Sequence, residues 1–282
     1  MTIRGKVVIV TGAARGIGKA IAEEFGKAGA CLFLIARSKD ELEQIALHLA
    51  RYECDVLAES YDIADPRQVD LAVEAGLKRF GRVDVLVNNA GVQGPIGPVE
   101  DLDFWECKRV VEVNLLATLR FIQKVIPGMK RHAWGRIINM SGGGGTGPLP
   151  RFCPYAASKA AIVRLTETVA EEVKAYGITV NAIAPGNVKT RMTEQALSAG
   201  ERAGTEYLQE LKELAKGGGV SPYLAAELAL ILASDEAQSI TGRLISAVWD
   251  DWRELIGRAE QIQATDIYTL RRILPKDRGF DW

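Results

Sequence analysis

Histidine is scarce in this 282-residue sequence, with only His48 and His132, and the four cysteines stand far apart at positions 31, 54, 107 and 153. Neither a CxxC pair nor any other metal-ligand spacing occurs, so no zinc site is expected, and reduced thiols in a cytoplasmic protein are the plain reading. No apolar run approaches the roughly 20 residues of a membrane span, and the N-terminal run is too short for a secretory core. Charge of one sign is also lacking. Lysine and arginine number 35 against 36 acidic residues, a net charge of −1, which removes the electrostatic case for nucleic acid or an anionic membrane as partner. There is no low-complexity segment and no internal repeat. What remains is a chain of 48 % hydrophobic residues, enough to bury a sizeable core.

Short apolar runs alternate with helical stretches. Lys6–Thr11, Cys31–Ala36, Asp55–Tyr61, Val83–Asn88, Arg136–Met140, Ile178–Ala184 and Arg243–Val248 read as seven strands. Gly16–Ala28, Asp40–Arg51, Pro66–Phe80, Leu102–Met129, Tyr155–Ala175 and Pro222–Ala233 read as helices. Continuous apolar strands separated by helices predict a Rossmann-like, doubly wound α/β fold, a parallel sheet with helices on both faces. One domain over residues 1–249 is expected, with a polar excursion at 190–219 and an extension at 250–282. Within that extension, Thr265–Leu274 reads as a capped helix with Ile267, Leu270 and Leu274 on one stripe and Pro275 as its stop.

The first strand runs into Thr11-Gly12-Ala13-Ala14-Arg15-Gly16-Ile17-Gly18. Glycines there permit a tight turn and close approach of a pyrophosphate, and the following helix offers free N–H groups and the positive end of its dipole. The second strand ends at Ala36, followed by Arg37, Ser38 and Lys39, where an NAD-binding chain often carries a carboxylate for the ribose hydroxyls. With no carboxylate to repel it, a 2′-phosphate would pair with Arg37 and Arg15, whose planar forks suit phosphate oxygens. NADP(H) is therefore expected over NAD(H).

Tyr155 and Lys159 lie four residues apart at the start of a helix and so share a face. A neighbouring ammonium would lower the phenol pKa from about 10 and let tyrosine exchange a proton with an alcohol or carbonyl oxygen. Ser141 follows the fifth strand and would face the crevice at the carboxyl end of the sheet, ready to donate to the substrate oxygen. Cys153, two residues before Tyr155, reads as a small buried filler.

The glycine loop, Asn88-Asn89-Ala90-Gly91, Asn114, Ser141, Tyr155, Lys159 and Pro185-Gly186 occur in order and at compatible spacing across residues 3–249. This constellation resembles the short-chain dehydrogenase/reductase family. The resemblance implies a fold of the kind already read and an enzyme that moves hydride between a nicotinamide and a carbonyl carbon, with no metal. It implies that Asn114, Ser141, Tyr155 and Lys159 are catalytic. Gly12, Gly16 and Gly18 would shape the pyrophosphate turn, and Arg15 and Ile17 would be cofactor-binding with them. Asp62 and Ile63 would contact adenine, and Asn88, Ala90 and Gly91 would line the adenosine ribose. Tyr155 and Lys159 would also touch the cofactor, and Pro185, Gly186, Val188 and Thr190 would pack on its nicotinamide. Residues 190–219 stand where the family has its substrate lid. A homodimer or homotetramer built on the helices around Leu102–Met129 and Tyr155–Ala175 is implied as well.

The sequence departs from the family in two places. Ser141 precedes four glycines, Gly142–Gly145, which suggests extra room or backbone contacts beside the substrate. The Gly-rich ending expected after the seventh strand is replaced by Ala247-Val248-Trp249-Asp250-Asp251-Trp252 and a long tail, expected to pack on a neighbouring subunit, over the substrate entrance or on its own subunit. A 3-oxoacyl thioester and a sugar or polyol are both open as substrate. The former would want a basic patch near the entrance, for which Arg131, His132 and Arg136 are candidates in sequence. A sugar-nucleotide epimerase would carry a different glycine spacing. A cofactor sensor or scaffold without turnover would be expected to lack Tyr155 or Lys159, and both are present.

Overall fold

The computed structural model describes residues 3–217 and 219–282. Seven strands, β1 (Val7–Thr11), β2 (Cys31–Ala36), β3 (Val56–Ser60), β4 (Val85–Asn88), β5 (Gly135–Met140), β6 (Ile178–Ala184) and β7 (Leu244–Ser246), form one parallel sheet in the order β3-β2-β1-β4-β5-β6-β7. Alternate residues of β1 serve opposite faces, as the two-residue strand period requires. Val8 and Val10 pack with α1 (Gly16–Lys27), α2 (Lys39–Leu49) and α9 (Pro222–Ala233). Ile9 packs on the other face with α3 (Pro66–Phe80), α5 (Ala117–His132) and α6 (Cys153–Val173). The chain order reverses between β1 and β4, so their carboxyl ends open a crevice at the point where such sheets bind ligands.

Local signals fix the helix starts. Ser38 caps α2 by accepting the Glu41 N–H, and Asp65 caps α3 ahead of Pro66. Gly76 in α3 lies against the ring of Phe33, where a Cβ would collide, so this glycine sets how closely α3 approaches the sheet. The stretch expected as one helix over Leu102–Met129 is α4 (Phe104–Val111), a single wider π-turn at Glu112–Leu116, and α5. That turn carries Asn114.

The excursion at 190–219, expected as a lid, contains α7 (Arg191–Ser198), a short turn at Gly200–Ala203, and α8 (Thr205–Gly217); Gly218 of its glycine run lies outside the described residues. These pack through Ala196, Ala203, Leu208 and Leu211 onto Phe152 and Tyr155, roofing the carboxyl end of β5.

The tail begins by packing on its own chain. Trp252 is buried and donates its indole N–H to the Ala247 carbonyl at 2.9 Å, and Leu255, Ala259 and Ile262 join the same core as α9. The expected helix at Thr265–Leu274 is absent. A short helix, α10 (Ala259–Gln263), precedes it, and Tyr268 adopts a left-handed backbone (φ 64°) incompatible with a helix interior. Tertiary partners take the backbone groups a helix would use. The Tyr268 carbonyl accepts the Leu244 N–H at 2.8 Å, the Leu270 N–H goes to Glu167, and the Leu270 carbonyl accepts from Arg164.

Candidate active site

The glycine loop between β1 and α1 is held by the segment after β4. Thr11 Oγ1 accepts the N–H groups of Asn89 (3.0 Å) and Ala90 (3.1 Å), and the Asn89 carboxamide donates to the carbonyls of Thr11 (2.9 Å) and Gly12 (3.2 Å). Gly12 and Gly16 have positive φ, 65° and 55°, and a Cβ on Gly18 would collide with the Gly12 carbonyl. A Cβ at Gly16 would touch the Thr190 methyl at 3.6 Å, so Thr190 stands directly beside the glycine loop. The first turn of α1 has no side-chain cap and no acidic residue. Its orphan N–H groups and positive dipole end suit a pyrophosphate. Asn89 was part of the recognised motif, but its locking role needs the fold to be seen.

Arg37, exposed at the end of β2, makes no ion pair among the described residues, and its carbonyl is held by the Ser60 hydroxyl at 2.8 Å. Arg15 reaches Glu41 at 3.5 Å, with both side chains about half exposed. Asp62 is engaged by Arg109 at 2.7 Å and accepts the Ala64 N–H. Burial works against its ionisation, but Arg109, the Ala64 N–H and Arg37 outweigh it and hold the carboxyl below the usual range. Ile63 is buried beside it. Asn88 donates to Asn139 at 2.9 Å, and Asn139 to Thr166 at 2.9 Å, a buried polar ladder joining β4, β5 and α6. Its members at 139 and 166 gave no signal in the sequence.

At the carboxyl end of β5, Ser141, Tyr155 and Lys159 come together. Lys159 Nζ donates to the Met140 carbonyl at 2.8 Å and lies 5.6 Å from the centre of the Tyr155 ring. Ser141 Oγ donates to the Lys159 carbonyl at 3.2 Å. Asn114 donates to the Val92 carbonyl and to Ser158 Oγ, both at 2.9 Å, and Ser158 donates to the Tyr155 carbonyl at 2.7 Å. Gly91 lies beside both Asn114 and Lys159, and Ala90 rests on Thr11. Pro185 and Gly186 follow β6, with Gly186 (φ 77°) against Val248, and Val188 is tied to the lid through Thr193.

The expected lowering of the Tyr155 pKa is reversed. Burial first, and the nearby Tyr207 second, push the phenol up to about 12, while burial pushes Lys159 down to about 8. The physical reason is desolvation: Tyr155 and Tyr207 pack on the cluster around Phe152, whose ring lies 4.8 Å from that of Tyr207. Of the glycines after Ser141, Gly144 and Gly145 provide close contact, since a Cβ on Gly144 would strike Ala156 and one on Gly145 would strike Ser141 Oγ, whereas a Cβ on Gly143 would meet only Leu149, at 3.9 Å. Cys153 is exposed at the rim and not a buried filler. Arg136 is fully buried at the opposite end of β5, bonded to the carbonyls of Gly135 and Gly177 and stacked over Trp134. Arg131 and His132 close α5 at that same end, so these three form no basic patch at the entrance. One further side chain stands out. Gln93, in the loop after β4, is 5 % exposed, and its Oε1 has no hydrogen-bond partner among the described residues.

Comparison with known proteins gives a consistent result. The family described as short chain dehydrogenase matches residues 6–200. D-beta-hydroxybutyrate dehydrogenase of Rhizobium meliloti (strain 1021) is 36 % identical over 249 residues, covering 86 % of this chain and 96 % of that protein. The 3-oxoacyl-acyl-carrier-protein reductase of Thermotoga maritima is 34 % identical over 247 residues, covering 87 % and 97 %. Among solved structures, NAD+-bound xylitol dehydrogenase superposes with a TM-score of 0.80 at 28 % identity, covering 87 % of this chain and 98 % of that one.

Proposed function

The chain belongs to the short-chain dehydrogenase family, and from that premise we propose a nicotinamide-dependent oxidoreductase that interconverts a ketone and a secondary alcohol with Tyr155 as the acid and base. The observation that carries this reading is the meeting of Ser141, Tyr155 and Lys159 at the carboxyl end of β5, beside a glycine loop whose helix N-terminus is uncapped. Bound there, the reduced nicotinamide supplies the hydride.

The residues divide the remaining work. Gly12, Gly16 and Gly18 shape the turn that would hold the pyrophosphate on backbone N–H groups, with Ile17 beside them and Arg15 available to the 2′-phosphate. Asp62 and Ile63 flank the adenine, Asn88, Ala90 and Gly91 line its ribose, and Pro185, Gly186, Val188 and Thr190 support the nicotinamide. Tyr155, protonated across the neutral range because burial keeps its pKa near 12, delivers its proton to the developing alkoxide. Ser141 turns its hydroxyl from the Lys159 carbonyl to the substrate oxygen. Lys159 binds the ribose and returns a proton toward Tyr155. Asn114 holds the Val92 strap and, through Ser158, the first turn of α6.

The cofactor is NADP(H) in preference to NAD(H). Support comes from Arg37, exposed at the end of β2 beside the Ser38 cap of α2, which makes no ion pair among the described residues and acts on Asp62 only through its field. Replacing Arg37 with alanine lowers the NADPH-to-NADH ratio of kcat/KM by roughly tenfold, the scale of one charge-assisted phosphate contact; an unchanged ratio would remove the argument. The substrate is either a 3-oxoacyl-type ketone or a sugar or polyol. Loss of NADPH absorbance with 3-oxoacyl thioesters, keto-sugars, diketones and cyclic ketones tests the reading as a whole. Tight NADPH binding with no turnover of any of them would favour a sensor or scaffold instead.

A further inference from the structure

We propose that Arg151 and Arg202 form an anion-recognising rim that selects carbonyl substrates bearing an acid group, carboxylate or phosphate, on the end remote from the reacting carbon. The inference rests on the oxidoreductase reading above and extends it to the class of substrate.

The loop after β4 runs from the reacting groups outward to this rim. At its inner end Asn114 grips Val92 by both backbone groups, at 2.8 and 2.9 Å. Gln93 follows, buried, with its Oε1 unpartnered among the described residues. Farther out, Ile96 packs in the same cluster as Tyr155, Leu149 and the lid. At the outer end, Gly97 lies between two arginines. Arg202, on the lid turn Gly200–Ala203, donates its Nε–H to the Ile96 carbonyl at 3.0 Å, and its guanidinium covers Gly97 so closely that a Cβ there would collide with it. On the other side the Arg151 carbonyl accepts the Gly97 N–H at 2.9 Å.

Arg151 has a left-handed backbone, φ 72°, a strained conformation for a residue with a side chain. That geometry brings its side chain alongside Gly204 of the lid, with Cγ 3.7 Å from where a Cβ would stand. Gly97, Leu149, Arg151 and Cys153 border a cavity of about 420 Å³ at this place. Both arginines are exposed, and neither makes an ion pair among the described residues; Glu100, which also borders the cavity, pairs with neither. Arg151 borders the cavity beside Gly97 and Arg202 lays its guanidinium on that glycine, so two cations stand at one opening, and their planar forks match carboxylate and phosphate oxygens. Since Arg151 belongs to the body and Arg202 to the lid, an anion bridging them also draws the lid onto the substrate.

The test compares matched acids and esters. The NADPH-loaded protein is assayed with 3-oxobutanoate and 4-oxopentanoate, with the methyl ester of each, and with 3-oxobutanoyl-coenzyme A. The wild-type chain favours the acid over its ester in kcat/KM, chiefly through KM. In the double variant R151Q/R202Q that acid-to-ester ratio falls about tenfold, the scale of two exposed charge contacts. R202K, which retains the charge, keeps most of the preference. If only the coenzyme A thioester responds, the anion is a phosphate; if the free acids respond, it is a carboxylate. A merely structural role in tethering the lid would lower acid and ester alike and leave the ratio intact, and that result overturns the proposal. Should the wild type turn over no ketone at all, the oxidoreductase reading fails separately. Calorimetry of 4-oxopentanoate on the NADPH complex then decides the rim: binding about tenfold weaker in R151Q/R202Q supports it, and equal or undetectable binding in both proteins overturns it.

Discussion

At the residue scale, the four-residue spacing of Tyr155 and Lys159 was legible in the sequence because one helical turn brings them to one face. Their electrostatics were not. Desolvation depends on Phe152 and Tyr207, and nothing in the spacing says that Tyr207, fifty-two residues later, packs in one cluster with residue 155. The consequences for pH follow from the directions of the two shifts. Burial holds Lys159 near 8 against an ordinary 10.5, so between those values the unfolded chain binds a proton that the folded one does not. Stability contributed by this group therefore rises with pH across that window, and its cost is complete below about 8. Tyr155 is raised from 10.0 to about 12, so the folded chain keeps a proton that the unfolded one sheds, and stability falls as pH climbs between those values. Ketone reduction needs the protonated phenol and alcohol oxidation the phenolate. Reduction should accordingly hold its kcat/KM from about pH 6 to about pH 8 while oxidation climbs steadily, a profile readable from steady-state rates in both directions. Oxidation fastest at the acid end would contradict these shifts.

At the element scale, the parallel sheet followed directly from apolar runs alternating with helices, whereas the capping roles of Ser38 and Asp65 are visible only in the fold. The tail was misread for a definite reason. Ile267, Leu270 and Leu274 have helical spacing, yet Leu244, Glu167 and Arg164 claim the backbone groups of Tyr268 and Leu270, and tertiary hydrogen bonds override local periodicity. The tail is anchored instead by Trp252, whose place is filled by the α9 core and whose indole is hydrogen-bonded. Trp252→Ala should cost about 3 kcal/mol of unfolding free energy by lost burial and the cavity left behind, measured by urea denaturation. A loss within about 0.5 kcal/mol would mean that this segment contributes little to the core.

At the scale of the whole molecule, a large apolar surface is left uncovered along α4 and the turn after it. Phe104 and Trp105 are about 70 % exposed, and Val111 and Leu116 are also open to solvent. A monomer rarely leaves so many large apolar side chains grouped together. A homodimer or homotetramer that covers this face is therefore proposed, and Trp105→Glu should shift the mass found by light scattering toward the monomer. A wild-type chain that is monomeric at working concentration would contradict the assignment. Trp249 and Trp282, both about 85 % exposed, show that only part of the tail packs on its own chain.

The central claim is that Tyr155 carries the proton for reduction of a ketone by a bound nicotinamide. Its most direct test follows NADPH absorbance with a turned-over ketone, comparing the wild-type chain with Tyr155→Phe, while fluorescence titration measures NADPH affinity in both. The account predicts a loss of kcat of about a hundredfold or more with NADPH binding kept within a few-fold. Comparable turnover by the two proteins would show that the proton comes from elsewhere.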